Sequence, residues 1–158
     1  MTDIESYITG LRSDSKEERE ESMKVLVETG SSALPELMHL LTDPDWIVRY
    51  RAAEALGGIG DKDAVDALII TTCDVKDHVR YMATKSLGTF RDTRIHPALV
   101  RMLSDDHCYT RRIAASGLIF AGDSSTIPAL SEAIGKELDI ETKLALESAL
   151  TDLKKKIS

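Results

Sequence analysis

Apolar residues in the stretch DPDWIVRYRAAEALGGIGDKDAVDAL, residues 43–68, recur at helical spacing in two blocks. Val48, Ala52, Ala55, Leu56 and Ile59 mark one stripe of a first helix. Asp43, Pro44 and Asp45 precede it and offer capping oxygens and a proline close to the helix start. Gly57, Gly58 and Gly60 are expected to end it, because glycine accepts the left-handed geometry of a helix C-terminus. A second stripe follows at Val65, Leu68 and Ile69. The pattern predicts two short helices joined by a tight turn.

The same pattern recurs along the chain. Arg19, Arg49, Arg80, Arg111 and Lys143 fall in register at steps of 30, 31, 31 and 32, and Leu26, Leu56, Leu87, Leu118 and Leu150 each stand seven residues later. Asp43, Asp74 and Asp105 each lie six residues before their Arg. The second helices repeat independently: Leu37, Leu68, Leu99 and Leu130 are spaced by 31, as are Leu34, Val65, His96 and Ile127, with His96 the odd member. Two registers with one period identify a repeat protein. The ends fit half-repeats. Ile4, Tyr7, Ile8 and Leu11 precede Leu34, Leu37, Met38 and Leu41 by 30 residues, and residues 140–153 form a final helix of the first type.

The expected architecture is all-α, a right-handed alpha-alpha superhelix of about ten antiparallel helices in a single domain, residues 1–158. The expected divisions are a cap at 1–12, repeats at 13–42, 43–73, 74–104 and 105–136, and a cap at 137–158. Helices are expected near 16–29, 33–42, 45–58, 63–73, 76–89, 94–104, 107–120 and 125–136. Ordering one such repeat costs roughly 1–2 kcal/mol per residue in backbone entropy, while each buried aliphatic returns only about 1.5–3 kcal/mol. Stability must therefore come from stacking neighbours, and the terminal helices should carry polar outer faces. SKEEREESMK, residues 15–24, is almost wholly charged and suits such a cap.

The pattern DxDxxVRxxAAxALGxIGDxxAVxxL, matched at nearly every position by residues 43–68 and more loosely by 74–103 and 105–134, resembles the HEAT-like repeat of the phycobilisome-lyase type. It is also similar to the repeat of designed 31-residue helical binders. The resemblance covers most of the chain and implies the solenoid. Because such repeats serve scaffolds, enzyme subunits and chaperone-like proteins alike, it leaves function open. It also implies that Asp43, Asp74, Asp105, Arg49, Arg80 and Arg111 form a structural ladder between repeats.

The positions that the motif leaves free are more informative. On a wheel of about 100° per residue, Tyr50 points away from the core stripe of its helix, with Trp46, Ile47, Arg51 and Glu54 nearby. Equivalent positions are Asp77, His78, Tyr81, Met82 and Lys85, then Cys108, Tyr109, Arg112, Ile113 and Ser116. The last helix offers Ile140, Glu141, Leu144, Ala145 and Ser148, and the first Lys16, Glu17, Glu20, Glu21 and Lys24. Of the seven Phe, Trp and Tyr residues, four (Trp46, Tyr50, Tyr81 and Tyr109) occupy these rows. Stacked helices lie about 8–10 Å apart, so the rings could form a strip. Trp, Tyr and Arg are the residues enriched at binding hot spots. Trp46, Tyr50, His78, Tyr81, Tyr109 and Arg112 are therefore the candidate partner-binding residues. Two readings remain open: a binding strip, or side chains packed between repeats, as Arg51, Met82 and Ile113 are expected to be in part. In the designed relatives these positions are varied on the inner curved surface, so the resemblance points to the same strip. The second-type helices present Ala67, Ala98 and Ala129 outward and are expected to be a flat, solvated outer face.

Composition narrows the partners. The net charge of −7 is uneven: −9 over residues 1–78, +4 over 79–112 and −2 over 113–158. An acidic first half argues against nucleic acid, whose binding rests on neutralising phosphates. The basic middle could meet an acidic partner or the acidic end of another copy, giving a weak homo-oligomer. No apolar run approaches the ~20 residues of a membrane span, and MTDIESYITG lacks the features of a signal peptide. Cys73 and Cys108, without CxxC spacing, read as reduced thiols, and a cytoplasmic protein is expected.

Catalytic chemistry finds no footing in the sequence. His39, His78, His96 and His107 have no HisxxxHis spacing and no His-Glu pair, which separates the chain from the HEAT-like iron enzyme that hydroxylates deoxyhypusine. GGIG ends a helix rather than opening one, so no phosphate cradle forms. HEAT-like DNA glycosylases need a positive groove, and Trp46 lies in the acidic half. No catalytic, cofactor-binding or metal residue is expected, and no cofactor. The sequence favours a non-enzymatic interaction scaffold that binds a protein through the aromatic strip. The alternative, implied by the resemblance, is a subunit of a lyase or isomerase acting on a bilin or similar tetrapyrrole.

Overall fold

The computed structural model describes residues 3–158; Met1 and Thr2, at the start of the expected N-terminal half-repeat, lie outside them. Ten α-helices occur among the described residues: α1 (Ile4–Gly10), α2 (Lys16–Thr29), α3 (Leu34–Leu40), α4 (Trp46–Ile59), α5 (Val65–Thr71), α6 (Asp77–Leu87), α7 (Ile95–Met102), α8 (Cys108–Ala121), α9 (Thr126–Lys136) and α10 (Ile140–Ile157). Short 3-10 turns, Gly30–Ala33 and Lys62–Ala64, lead into α3 and α5. No strand is present among the described residues.

The local signals act largely as expected. Asp45 caps α4 through its side chain, which accepts from the Ile47 N–H at 2.9 Å, and the Asp45 N–H in turn donates to Asp43 Oδ1. The helix ends at Gly60, whose φ of 70° and ψ of 18° are left-handed. Gly57 and Gly58 do not end it, contrary to the expectation; they lie inside α4. Gly57 is there for proximity. A Cβ at that position would stand 3.0 Å from the Ser86 Cα and closer still to its side chain, so glycine lets α4 and α6 touch. The Ser86 hydroxyl then donates to the Ala53 carbonyl across the contact.

The helices form two layers. The even-numbered helices pack along one another from α2 to α10, whereas the odd-numbered helices touch their counterparts at few points. Between the layers runs a continuous aliphatic core in which Leu26, Leu56, Leu87, Leu118 and the series Leu37, Leu68, Leu99, Leu130 are fully buried. His96, the odd member of its row, is half-buried and places Nε2 2.7 Å from the Thr126 hydroxyl of the next repeat.

The Arg–acid ladder is present and has a regular construction. Arg49, Arg80 and Arg111 each donate through Nη1 to two carbonyls of the loop before their own helix: Asp43 and Pro44, Asp74 and Val75, Asp105 and Asp106. Nε and Nη2 of the same guanidinium fork onto the acid one repeat on: Asp74, Asp105 and Glu137. Each acid also accepts from a backbone N–H two residues later, at Lys76, His107 and Asp139. The first rung differs. Asp43 is held by Arg12, while Arg19 uses Nη1 on its own loop carbonyls at Ser13 and Asp14.

Two surfaces depart from expectation. The second-type side is not featureless: Met38, Leu41, Pro44, Ala67, Ile70 and Val75 line a hollow of about 650 Å³. It forms because α3 and α5 are short and end in turns, leaving Ile70 and Val75 prominent. The two ends also differ. Helix α2 exposes Lys16, Glu17, Glu20, Glu21 and Lys24, as a cap should, but the C-terminal end exposes Leu138, Ile140 and Leu144. The cause is one of register: Ile140 and Leu144 oppose the buried stripe of α10, where no described helix stacks.

The ladder predicts a graded mutational response. The Arg80 and Asp105 side chains are 17% and 4% exposed, so Arg80→Ala strands a buried carboxylate and should cost about 3–5 kcal/mol in urea unfolding. Arg12→Ala, at a 46% exposed side chain, should cost at most about 1 kcal/mol. Ladder carboxylates also set the acid response. Arg111 holds Glu137 below the usual carboxylate range; burial pushes Asp74 up, but hydrogen bonds from Arg49 and the Lys76 N–H outweigh it and leave Asp74 lowered. Groups depressed in the folded state stabilise it above their unfolded values and lose that contribution as pH falls through the folded ones. Stability should therefore be level near neutrality and decline below about pH 4, measured by circular dichroism.

Candidate functional site

The starts of α6 and α8 are fixed by the ladder, because the loop before each is clamped by its own Arg and its acid by the Arg of the repeat before; before α4, Arg49 clamps the loop and Arg12 holds Asp43. The first residues of α4, α6 and α8 therefore stand side by side, and their side chains form a line. The Trp46 ring lies 5.3 Å from the His78 ring, tilted by 50°. His78 stands 6.1 Å from His107, and His107 stands 5.5 Å from Tyr109. Each end of the line meets a cation: Lys76 Nζ lies 5.0 Å over Trp46 and the Arg112 guanidinium 5.2 Å over Tyr109.

Asp77 sits under the middle of this line. Its Oδ1 is 2.9 Å from His78 Nδ1, and its Oδ2 is 3.9 Å from His107 Nε2. The hydrogen bond from His78 holds the Asp77 carboxyl well below the usual range. His107 Nδ1 is buried without a partner.

The six expected strip residues do not form one strip. Trp46, His78 and Tyr109 belong to the line at the helix starts, where Tyr109 is 57% exposed and His78 is exposed. Tyr50 and Tyr81 form a second row one turn further in. Both are half-buried, and Tyr50 packs against the core. Burial pushes the Tyr50 hydroxyl up, with Glu54 and Tyr81 adding to the shift. Tyr50 also borders a hollow of about 500 Å³ between α2 and α4, together with Arg19, Met23, Arg51 and Glu54. Arg112 is engaged inside the chain as well: Nε donates to the Thr142 hydroxyl at 2.8 Å, and Nη2 to Asp139 and Glu141. Its planar face remains on Tyr109. Arg51, Met82 and Ile113 are covered between repeats as expected; Arg51 donates to the Leu11 carbonyl and Met82 is buried.

Lys76 and His107 were missed from the sequence, although a signal existed. They share a register with Asp45 and Asp139, which cap α4 and α10 with their side chains. Lys76 and His107 make no side-chain cap, so their side chains are free to join the line. Among the described residues no group of three or more His, Cys, Asp or Glu is placed to hold a metal ion. No described helix is long and apolar enough to cross a membrane.

Comparison with known proteins follows the architecture. The family profile of HEAT repeats matches residues 4–74 and 69–151. No curated protein matches the sequence. Among solved structures, the complex of CpcE and CpcF of phycocyanin lyase from Nostoc sp. PCC7120 aligns with a TM-score of 0.83 at 20% identity, covering 92% of this chain and 96% of that one. An engineered protein aligns with a TM-score of 0.59 at 22% identity, covering 97% of this chain and 80% of that one. At such identities the likeness to these two structures is one of fold. With the repeat profile spanning nearly its whole length, the chain belongs to the family of HEAT-repeat proteins.

Proposed function

We propose that this HEAT-repeat chain is a non-enzymatic scaffold that captures a protein partner on the face formed by the even-numbered helices. The observation that carries it is the line Trp46–His78–His107–Tyr109, flanked by Lys76 and Arg112. Ring contacts in series cross three repeats without entering the core, which fits rigid anchors for another surface. Tyr50 and Tyr81 form the row one turn further along the same helices. The even-numbered layer is also the more closely packed of the two, and in a curved two-layer stack the closer-spaced layer is the inner one. Cys73 is exposed and Cys108 half-buried, both as free thiols, which suits a reducing, cytoplasmic setting.

A second use is favoured by one observation, the fold likeness to the CpcE–CpcF complex of phycocyanin lyase. In that case the chain is one subunit of an enzyme acting on a bilin or similar tetrapyrrole, and the same face meets the other subunit.

The two rows should separate in mutagenesis. Trp46→Ala with Tyr109→Ala should abolish capture of the partner protein, scored by affinity pull-down and mass spectrometry against the unmodified chain, with helicity unchanged. Capture that survives the pair would exclude the line as the binding face. Tyr50→Ala should cost about 1–3 kcal/mol of stability, whereas Tyr109→Ala should stay within about 0.5 kcal/mol. For the second use, adding a bilin should shift its absorbance in a manner dependent on the chain; an unchanged spectrum removes it.

A further inference from the structure

Arg49, Arg80 and Arg111 each close the fork of Nε and Nη2 on a carboxylate. Arg19 stands in the same register and grips its own loop in the same way, with Nη1 2.9 Å from the Ser13 carbonyl and 2.8 Å from that of Asp14. Its Nε and Nη2, however, bond to no group among the described residues. The acid in the corresponding place, Asp43, is held by Arg12.

A second guanidinium without an acid lies on the same hollow. Arg51 of α4 is half-buried and donates through Nη1 to the Leu11 carbonyl, and no carboxylate among the described residues forms an ion pair with it. Burial and the charge of Arg19 hold Arg51 below its ordinary value, while Asp45, Glu54 and Asp14 pull the other way from beyond ion-pair distance. Later repeats place Met82, Ile113 and Ala145 at this position, so the scaffold does not require a charge there. Arg19 and Arg51 both line the hollow of about 500 Å³ between α2 and α4. Lys16 and Lys24 bring its cations to four, against Glu20, which is 3.5 Å from Lys16, and Glu54, which is exposed and has no ion pair. The hollow is thus cationic within an N-terminal half that is otherwise acidic. Met23 and Tyr50 add an apolar wall suited to an aliphatic stem.

We propose that this hollow binds the carboxylate of a ligand, taken in the open fork of Arg19 and neutralised by Arg51. A carboxylate fits better than a phosphate, because the fork repeats the arrangement that holds Asp74, Asp105 and Glu137, and Glu20 and Glu54 oppose a doubly charged group more strongly. A free organic acid and an acidic side chain of a protein present this same group. The site lies on α2 and α4, apart from the line that ends at Tyr109, and does not depend on that line.

The test is a titration of the full chain, uniformly labelled with nitrogen-15, followed at the arginine Nε–H resonances. Glutarate represents the free acid, acetyl-Gly-Glu-Gly-amide the side chain, and inorganic phosphate the competing anion; sodium chloride matches ionic strength. Glutarate or the peptide should shift the Arg19 and Arg51 resonances saturably, with a dissociation constant on the order of a millimolar, and the tighter of the two identifies the source. Arg51→Met, which installs the residue found at position 82, should weaken binding about tenfold with unchanged circular dichroism, as should Arg19→Lys, which keeps the charge and loses the fork. Shifts no larger than those with sodium chloride overturn the proposal, as does binding indifferent to both substitutions. Phosphate binding more tightly than either carboxylate overturns the assignment of the anion.

Discussion

From the repeat of α4 onward, each repeat in this chain is tied to the next by one guanidinium with two jobs. Nη1 of Arg49, Arg80 and Arg111 gathers two carbonyls of the preceding loop, and the remaining nitrogens fork onto the next acid. The acid then receives a backbone N–H of its own loop, so loop, helix start and neighbouring repeat are fixed together. A lysine could not replace the arginine, since a point charge has no fork with which to hold both sides. Buried aliphatics provide most of the free energy of stacking, but they are tolerant of sliding. The charged fork sets the register.

Placement of the candidate face follows from that constraint. Because the helix starts are aligned, residues at the cap and first positions of successive helices become neighbours along the stack. Of the five even-numbered helices, three are capped by the side chains of Ser15, Asp45 and Asp139; in the other two the cap position holds Lys76 and His107, whose side chains reach along the surface instead. Both α6 and α8 thus forgo a side-chain cap, worth about 1 kcal/mol apiece, and gain a ring or cation in the line. Such a substitution of local stability by surface chemistry is what a binding face requires.

Much of this was legible in the sequence, and the misses have physical causes. Periodicity gave the helices and the ladder, because one period governs both the aliphatic rows and the Arg–Asp spacing. A glycine inside a helix and one that ends it look alike in sequence. Gly57 is helical and faces Ser86, whereas Gly60 takes a left-handed φ of 70° with open space around it. The helical wheel misplaced Tyr50 for a related reason: it treats a helix as isolated, and the next helix of a solenoid covers part of the side facing away from the core. His107 was passed over because its role depends on a contact with His78, a repeat away.

The row Tyr50, Tyr81, Arg112, Leu144 shows how far a repeat position can change its meaning while keeping its place. At Tyr50 and Tyr81 the side chain packs along the stack; at Arg112 it binds the following helix through Thr142, Asp139 and Glu141. At Leu144 the same geometry faces outward with an apolar side chain. A polar residue there would complete a cap like that of α2. Leucine instead leaves an exposed apolar side chain beside that of Ile140.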